Sequence, residues 1–321
     1  MIAGCGESGE SRVSTEWRAP VAAVVVHWCN TARTKTCVDR LLQMPADLLD
    51  RIVLFDNGSP DGSGIYLKKA YQSSSRVRVV LKRTNLGFGS GVNEAIKHIS
   101  DPRPDFVLLV NPDVRLPSET LEKMRKVAQS DPKIGAVGPT IVYEKSGQIV
   151  WQTGAEFNRG LARIVDRYKG RSIDAINIEE PKPVQFLTGA VVLIRTSAFE
   201  AVGGFDRAYF LYEEDLDLSF RLRSAGFRLI WVPKAIAYHD IAITDRYRPQ
   251  ILYHRARSRV IFLQKHFVRP YLWYALAIHF VVFTAVHGVR SLRFQRSLRP
   301  VWQWLRGSID GLREAGAKKL L

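Results

Sequence analysis

Four short runs of apolar residues, many of them β-branched, recur at similar intervals in the first third of the chain and constrain its fold most strongly. They lie at residues 21–26, 52–55, 77–81 and 106–110. Such runs are typical of strands buried on both faces of a sheet. The segments between them, at about 32–43, 63–72 and 90–99, are compatible with helices. This alternation predicts an α/β fold with a doubly wound, mostly parallel sheet flanked by helices.

The remainder of the chain continues the pattern less regularly. We expect helices at 118–129 and 213–224, and strands at 134–137, 184–194 and 229–232. Ligands bind beyond the carboxyl ends of the strands in such sheets. Polar residues that follow a strand are therefore the candidate functional residues.

The charge of the chain is distributed unevenly. Residues 246–321 contain fifteen Lys or Arg and two acids, whereas the preceding 245 residues contain 32 bases and 29 acids. A nearly neutral body with a strongly basic tail favours an anionic partner surface, either a membrane or a nucleic acid. The tail has no recognised nucleic-acid motif, and its aromatic residues lie in an apolar run, so we expect a membrane surface and no nucleic acid.

That apolar run, at residues 271–289, contains no Lys, Arg, Asp or Glu. Its nineteen residues just span a hydrocarbon core of about 30 Å as a helix. Both flanks are basic, however, and a single crossing would export eight Lys or Arg against the positive-inside tendency. We therefore expect a peripheral or monotopic helix at the cytoplasmic face of the plasma membrane. A buried helix of the body is the alternative, and true spanning stays open.

The chain divides into three predicted parts. Residues 1–19 are polar and lack periodicity, which predicts a disordered leader. Residues 20–245 form the α/β domain, and 246–321 form a basic, aromatic helical region. The three cysteines match no zinc or disulfide framework, which indicates reduced thiols in a cytosolic setting. The oligomeric state stays open.

Two polar segments follow the second and third strand runs. Asp56 ends the second run, where a carboxylate can accept hydrogen bonds from a base N–H or a ribose hydroxyl, and Asn57 and Gly58 form a sharp turn. After the third run, Arg83 and a glycine-rich loop precede a helix, and this combination can bind a phosphate. Ordinary turns are the alternative for both segments, because turns favour the same residues.

Acidic residues follow later elements. Asp113, in Asn111-Pro112-Asp113 after the fourth run, could hold a divalent cation on a diphosphate. Four acids within Glu213–Asp217 begin a helix, and Asp217 can pair with Arg221 one turn later. This pairing leaves Asp215 or Glu214 free for chemistry. A solvated helix start is the alternative.

These segments, in this order from Val21 to Asp240, resemble the family 2 glycosyltransferases, which are inverting nucleotide-sugar enzymes of GT-A fold. The resemblance rests on the first-strand exit 27–30 and on the segments 56–63, 85–89 with Asn93, 111–114, 188–190, 203–206 and 214–218 with Arg221. Within the family the chain looks most like bacterial rhamnosyltransferases of cell-envelope glycan assembly.

The resemblance implies roles for the matching residues. Asp215, with Glu214 beside it, would be the catalytic base, and Asp113 with His239 would hold Mg²⁺ or Mn²⁺. Asn111 replaces the first acid of the family's Asp-x-Asp. Asp56, Asp113 and Asp215 would meet around one cation and its diphosphate. The nucleotide sugar would be bound by Asn30, Asp56, Asn57, Arg83, Asn85, Gly87, Asn93, Asn111, Gly189 and Ala190.

The expected function is the transfer of a sugar onto a lipid-linked or polysaccharide acceptor in cell-envelope glycan synthesis. L-rhamnose from dTDP-L-rhamnose is favoured by resemblance, and a UDP-hexose donor stays open. A nucleotidyltransferase on a related sheet is a further alternative, although the basic glycine-rich signature expected after the first strand is absent from residues 27–30.

Overall fold

The computed structural model describes residues 20–241 and 248–317. The expected leader and the expected boundary at 245 lie outside the described residues. The strands are β1 (Val21–His27), β2 (Arg51–Asp56), β3 (Val77–Leu81), β4 (Phe106–Val110), β5 (Val114–Arg115), β6 (Ile134–Tyr143), β7 (Val150–Gln152), β8 (Glu156–Asn158), β9 (Arg163–Val165), β10 (Lys182–Val184), β11 (Val191–Arg195) and β12 (Arg228–His239).

The central sheet has the strand order β10-β12-β6-β11-β4-β1-β2-β3, with β5 paired to β12 and β7 paired to β6. The strands β1 to β4 are parallel to one another, and β6 is parallel to β12. Between these groups, β11 is antiparallel to both β4 and β6. Six strands therefore end at one edge of the sheet, and β11 begins at that same edge. A separate hairpin joins β8 and β9.

Helices cover both faces of the sheet. The helices of the described residues are α1 (Thr31–Leu42), α2 (Ser63–Ala70), α3 (Phe88–Ile96), α4 (Ser118–Gln129), α5 (Thr196–Ala201), α6 (Glu214–Ser224), α7 (Pro249–His266), α8 (Tyr271–Ala277), α9 (Thr284–Gln295) and α10 (Arg299–Ala317). A π-helical segment at Ile278–Phe283 joins α8 to α9 without a break. Alternate residues of β1 enter two different apolar clusters, since Val25 packs with α1 and α4 and Val24 packs with α3 and α6. The prediction of strands buried on both faces is confirmed for β1, β2 and β4, but β3 lies at the edge of the sheet and is only partly buried.

One predicted strand is wrong in extent. The chain leaves the sheet after β10 and returns only at Val191, so 184–194 is not one strand. Phe186 and Leu187 are buried without strand pairing beyond an isolated bridge, which explains the misleading apolar pattern. The amide of Gly189 donates to Asp215 of α6 at 3.1 Å instead of to a neighbouring strand. The excursion at 185–190 places a turn beside α6.

Two other strands are longer than predicted. The sequence predicts strands at 134–137 and 229–232, but β6 runs to Tyr143 and β12 runs to His239. The two strands pair with each other along this extension, with a register shift between Val232 and Ile236 that follows Pro233. The longer β12 brings His239 to the edge where β4 ends.

The helices after residue 248 pack partly against the body. Val260 and Phe262 of α7 and Leu272 of α8 share an apolar cluster with Phe157 and Leu216. Helices α7 and α10 lie in close contact, which the glycines Gly307 and Gly311 of α10 make possible. A side chain on Gly307 would collide with the carbonyl of Tyr253, and one on Gly311 would collide with that of Arg257.

The apolar segment predicted from the sequence is helical. Among the described residues, Tyr271–Arg293 is one helix that is long and apolar enough to cross a membrane, with 22% of its most apolar window buried. Length and composition alone are weak evidence for crossing. Large apolar side chains of this region face solvent; Val268 is 81% exposed, Val281 68%, Val289 67% and Trp302 65%.

Candidate active site

The predicted site residues lie at the edge where the parallel strands end. Asp56 pairs in register with His27, at the ends of β2 and β1. Val191, the first residue of β11, pairs with Val110, the last residue of β4. The segments 188–190 and 111–113 therefore leave the sheet side by side, and the amide of Asn111 donates to the carbonyl of Ala190 at 2.9 Å.

Asp56 is buried and oriented by the turn that follows it. Its Oδ1 accepts hydrogen bonds from the amide of Ser59 at 3.2 Å and from the hydroxyl of Ser59 at 2.5 Å. Gly64 of α2 lies so close that a side chain there would collide with the Asp56 carboxylate. The Ser59 hydroxyl also accepts from the amide of Cys29 at 3.0 Å, which ties this turn to the exit of β1.

Asn57 and Asn85 shape the glycine-rich loop. Asn57 Nδ2 donates to Asn85 Oδ1 at 3.1 Å and to the carbonyl of Gly87 at 3.0 Å, while Asn57 Oδ1 accepts from Leu86 at 3.0 Å. Gly87 has a φ of 82° and packs against the carbonyl of Phe210, which excludes a side chain. These two asparagines hold the loop, and this use of their side chains was not predicted.

Three other predicted nucleotide-sugar residues differ in their surroundings. Asn93 holds the backbone of Phe205 on both sides, donating to its carbonyl at 2.7 Å and accepting from its amide at 2.9 Å. Asn30 caps α1 by accepting from the amide of Arg33 at 3.2 Å. Arg83 is exposed beyond the end of β3. Asn93 thus fixes the loop before α6 rather than presenting its amide to a ligand.

A charged network forms where β4 and β12 end. His239 Nε2 lies 2.9 Å from Asp113 Oδ1. Arg33 of α1 contacts Asp240 at 2.6 Å and Asp113 at 3.9 Å. Asp113 thus has an imidazole on one side and a guanidinium on the other. Neither Arg33 nor Asp240 was predicted; the position of Arg33 in the first turn of the helix after β1 was the available signal.

The side chains of Asp113 and His239 supply some of the ligands that a divalent cation needs. Within residues 20–241 and 248–317, no group of three or more His, Cys, Asp or Glu side chains is arranged to hold a metal ion. The Nδ1 of His239 is buried and has no hydrogen-bond partner in the described part of the chain. One carboxylate and one imidazole suit a Mg²⁺ or Mn²⁺ ion that takes its other ligands from a diphosphate and water.

The acidic start of α6 separates into groups with different properties. Burial, with the charge of Glu213 adding to it, raises the pKa of Asp215 to about 6, although the amides of Gly189 and Leu216 donate to its carboxylate. Burial and the neighbouring charge of Asp215 raise the pKa of Glu214 well above its usual range. Asp215 is therefore largely ionised at neutral pH, whereas the shift of Glu214 favours its protonated form.

Asp217 points to the opposite side of α6 and has a structural role. Arg221 donates to it at 2.7 Å, as the helical spacing predicts, and Lys265 and His266 of α7 lie 2.7 and 2.8 Å away. Burial opposes ionisation, but the His266 hydrogen bond and the charges of Arg221 and Lys265 outweigh it and lower the pKa of Asp217 to about 2.

Asp113 and Asp215 line different cavities. A cavity of about 240 Å³ lies between α1 and the strand ends, with Arg33, Arg40, Asp113 and Asp240 in its wall. Asp215 borders a separate small space of about 10 Å³, together with Gly189. Asp56 lines neither of these two cavities. The segment 188–190 contacts both neighbours, since Gly189 donates to Asp215 and Ala190 accepts from Asn111. The expectation that Asp56, Asp113 and Asp215 meet around one cation stays a prediction.

Comparison with known proteins decides the family. A family model described as "Glycosyltransferase like family 2" matches residues 19–259. The chain belongs to glycosyltransferase family 2. This glycosyltransferase is 32% identical over 229 residues to the N-acetylglucosaminyl-diphospho-decaprenol L-rhamnosyltransferase of Mycobacterium tuberculosis, and the match covers 66% of this chain and 74% of that protein. It is also 29% identical over 161 residues to rhamnosyltransferase WbbL of Escherichia coli, covering 48% of this chain and 60% of that protein.

A solved structure confirms the fold of this glycosyltransferase. The mannosyltransferase PcManGT from Pyrobaculum calidifontis, in complex with GDP-Man and Mn²⁺, matches with a TM-score of 0.56 at 15% identity. The match covers 94% of this chain and 86% of that chain. The expected GT-A fold, with its mixed and mostly parallel sheet flanked by helices, is confirmed.

Proposed function

We propose that this glycosyltransferase transfers L-rhamnose from dTDP-L-rhamnose to a lipid-linked acceptor, with inversion at the anomeric carbon. The relative from M. tuberculosis supports the sugar, and its name describes an acceptor sugar joined through a diphosphate to decaprenol. The observation that carries the catalytic part is Asp215, an ionised carboxylate with a raised pKa at the edge where the strands end.

The proposed reaction is a single in-line displacement. The acceptor hydroxyl attacks the anomeric carbon, the bond to the nucleoside diphosphate breaks, and Asp215 takes the hydroxyl proton. A pKa near 6 suits this step, because the group is ionised at neutral pH and is a stronger base than an ordinary Asp. The amides of Gly189 and Leu216 fix the carboxylate in position. Burial and the charge of Asp215 favour the protonated form of Glu214, which makes Glu214 the weaker candidate for the base.

The donor would lie along the strand ends. Asp56 would accept a hydrogen bond from the nucleobase, and the loop held by Asn57 and Asn85 would follow the nucleotide backbone. A Mg²⁺ or Mn²⁺ ion on Asp113 and His239 would neutralise charge on the departing diphosphate. Arg33 lies beside these ligands and adds a positive charge of the protein's own.

The exposed apolar surface between Tyr271 and α10, which includes the π-helical segment Ile278–Phe283, would dock the enzyme on an anionic membrane, at the cytoplasmic face. This surface combines Val281, Val289 and Trp302 with basic residues such as Arg290 and Arg306. Apolar insertion and attraction to anionic lipid reinforce each other in such surfaces. A docked enzyme would meet its lipid-linked acceptor in the plane of the membrane.

The proposal is tested with the purified full chain, Mn²⁺ and a short-chain lipid-diphosphate-linked N-acetylglucosamine acceptor. We expect dTDP release from dTDP-L-rhamnose to exceed UDP release from UDP-hexoses. D215N is expected to lower turnover at least about 100-fold, as loss of a general base does. The matched control D105N, an exposed residue directly before β4 and therefore at the opposite end of the parallel strands, keeps full turnover.

Two results would overturn the proposal. Preference for a UDP-hexose would remove the rhamnose assignment and leave the transferase. Release of pyrophosphate from a nucleoside triphosphate, without release of nucleoside diphosphate from any sugar donor, would support a nucleotidyltransferase instead.

A further inference from the structure

Helix α7 holds the segment that leads into α6. The ring of His254 stacks on Phe210 at 5.0 Å, and the hydroxyl of Ser258 donates to the carbonyl of Leu211 at 2.8 Å. The guanidinium of Arg255 lies 4.6 Å from the centre of the Tyr212 ring. One face of α7 therefore contacts residues 210–212 one after another, directly before the proposed base.

The end of this segment has an unfavourable backbone conformation. Tyr212 and Glu213 have φ values of 68° and 64°, so two consecutive residues other than glycine adopt the left-handed region. This conformation is costly for side chains with a Cβ and persists only where the surroundings impose it. Glu213 is the residue immediately before α6, and this conformation sets the direction in which the helix begins.

Arg259 of α7 completes the contact. Its guanidinium lies 3.0 Å from the Glu213 carboxylate, and the side chain of Arg259 is only 8% exposed. The rings of Phe157 and Phe262 lie about 5.6 and 5.5 Å from the guanidinium. Solvent screens this ion pair weakly because apolar rings surround it. Loss of the Arg259 cation would therefore leave the Glu213 carboxylate with a strong electrostatic effect on neighbouring groups.

The Glu213 carboxylate would act on Asp215, whose surroundings contain few other charged groups among the described residues. On α6 and its start, Glu213 and Glu214 are the acidic neighbours of Asp215. The segment 188–190 presents the Thr188 hydroxyl and the Gly189 amide to Asp215, and the Phe88 ring of α3 lies beside Gly189 as well. Arg259 is linked to this group through its ion pair with Glu213.

We propose that Arg259 is a positioning residue for the general base, acting through Glu213 to hold the start of α6 and to neutralise the carboxylate next to it. This inference rests on the proposed function, in which Asp215 is the base. It assigns to the basic C-terminal region a part in catalysis in addition to membrane docking.

The test is the pH dependence of kcat for the full chain with saturating donor and acceptor. R259M leaves Glu213 unneutralised, which makes ionisation of Asp215 harder. We therefore expect kcat to fall. We also expect the acidic limb of the profile, the low-pH side where kcat drops as the base is protonated, to have an apparent pKa higher by about half a pH unit or more. R259K retains the charge, so the apparent pKa of its acidic limb is expected to return most of the way to the wild-type value. The KM for the donor changes little, since Arg259 is not placed at the donor.

Variants at Glu213 separate charge from folding. E213Q removes the negative charge while keeping its volume, and the acidic limb is expected to move to lower pH. The double variant R259M/E213Q has neither charge and returns the limb toward the wild-type position. R257M is the matched control: Arg257 lies on the same helix and donates to Ala208, but it pairs with Glu314, so its limb stays in place.

The outcomes distinguish this inference from the proposed function. An active wild type whose acidic limb is the same in R259M and E213Q, both verified as folded by circular dichroism, overturns the role of Arg259 and leaves the transferase intact. A limb that moves equally in R257M also overturns it. A wild type that transfers no sugar from any nucleotide donor overturns both.

Discussion

Replacing Asp215 by Asn is expected to stabilise the protein at neutral pH while removing its activity. The pKa of Asp215 rises from 3.8 to about 6 in the folded state, chiefly through burial. At about 1.4 kcal/mol per pKa unit, ionising this group in the folded protein costs at most about 3 kcal/mol. The neutral amide avoids that cost but offers one acceptor to two backbone donors, which costs about 1 kcal/mol. The net gain is about 2 kcal/mol.

The sign of the pH dependence is fixed by the direction of the shift. A carboxyl group with a raised folded pKa destabilises the fold wherever the unfolded chain ionises more readily, so the advantage of D215N is absent below the unfolded pKa of about 3.9. The advantage grows as the pH rises from about 4 to about 6 and is constant above that. The assay is urea unfolding followed by tryptophan fluorescence at several pH values between 4 and 8.

The matched control lies two residues away and has the opposite sign. The pKa of Asp217 is lowered to about 2, so D217N is expected to destabilise the protein by about 2.5 kcal/mol at neutral pH. That loss fades as the pH falls through about 4 toward 2. Equal destabilisation by D215N and D217N at pH 7.5 would refute the reasoning, because it would mean that folding does not raise the pKa of Asp215.

Three further predictions follow from other parts of the structure. R33M is expected to raise the affinity of the nucleotide-free protein for Mn²⁺ several-fold in titrations monitored by electron paramagnetic resonance, since the guanidinium competes for Asp113; R40M is the control, and equal affinities would contradict this. V281S/W302S is expected to reduce flotation with anionic vesicles, whereas I65S, equally exposed on α2, is not; unchanged flotation would reject docking by this surface. G87A is expected to lower nucleotide binding measured by calorimetry and to destabilise the fold by at least about 1 kcal/mol, because its φ of 82° and the Phe210 carbonyl exclude a methyl group; a variant as stable as wild type would contradict that packing.

The first half of the fold was predictable because its signals are local. The runs that became β1, β2 and β4 are continuous and apolar, and burial on both faces of a parallel sheet requires that composition. The edge strand β3 tolerates the exposed Arg78. The strand 184–194 was mispredicted because Phe186 and Leu187 are buried by tertiary packing rather than by strand pairing. Apolar pattern reports burial, and it does not distinguish a strand from a buried excursion.

The candidate site was predictable in composition more than in contacts. The pairing of Asp217 with Arg221 follows from helical spacing and is present. By contrast, Asn57 and Asn93 hold backbone groups of other segments, which no local pattern encodes. Arg259 was beyond sequence reasoning for the same reason, because its partner Glu213 lies 46 residues earlier.

The pH dependence of single-turnover sugar transfer tests the central assignment most directly. With enzyme in excess over dTDP-L-rhamnose and with saturating acceptor, wild type is expected to show an acidic limb with an apparent pKa of about 6, and D215N is expected to be at least about 100-fold slower with no limb in that range. A D215N enzyme that retains both the wild-type rate and its limb would show that the proton goes to another group.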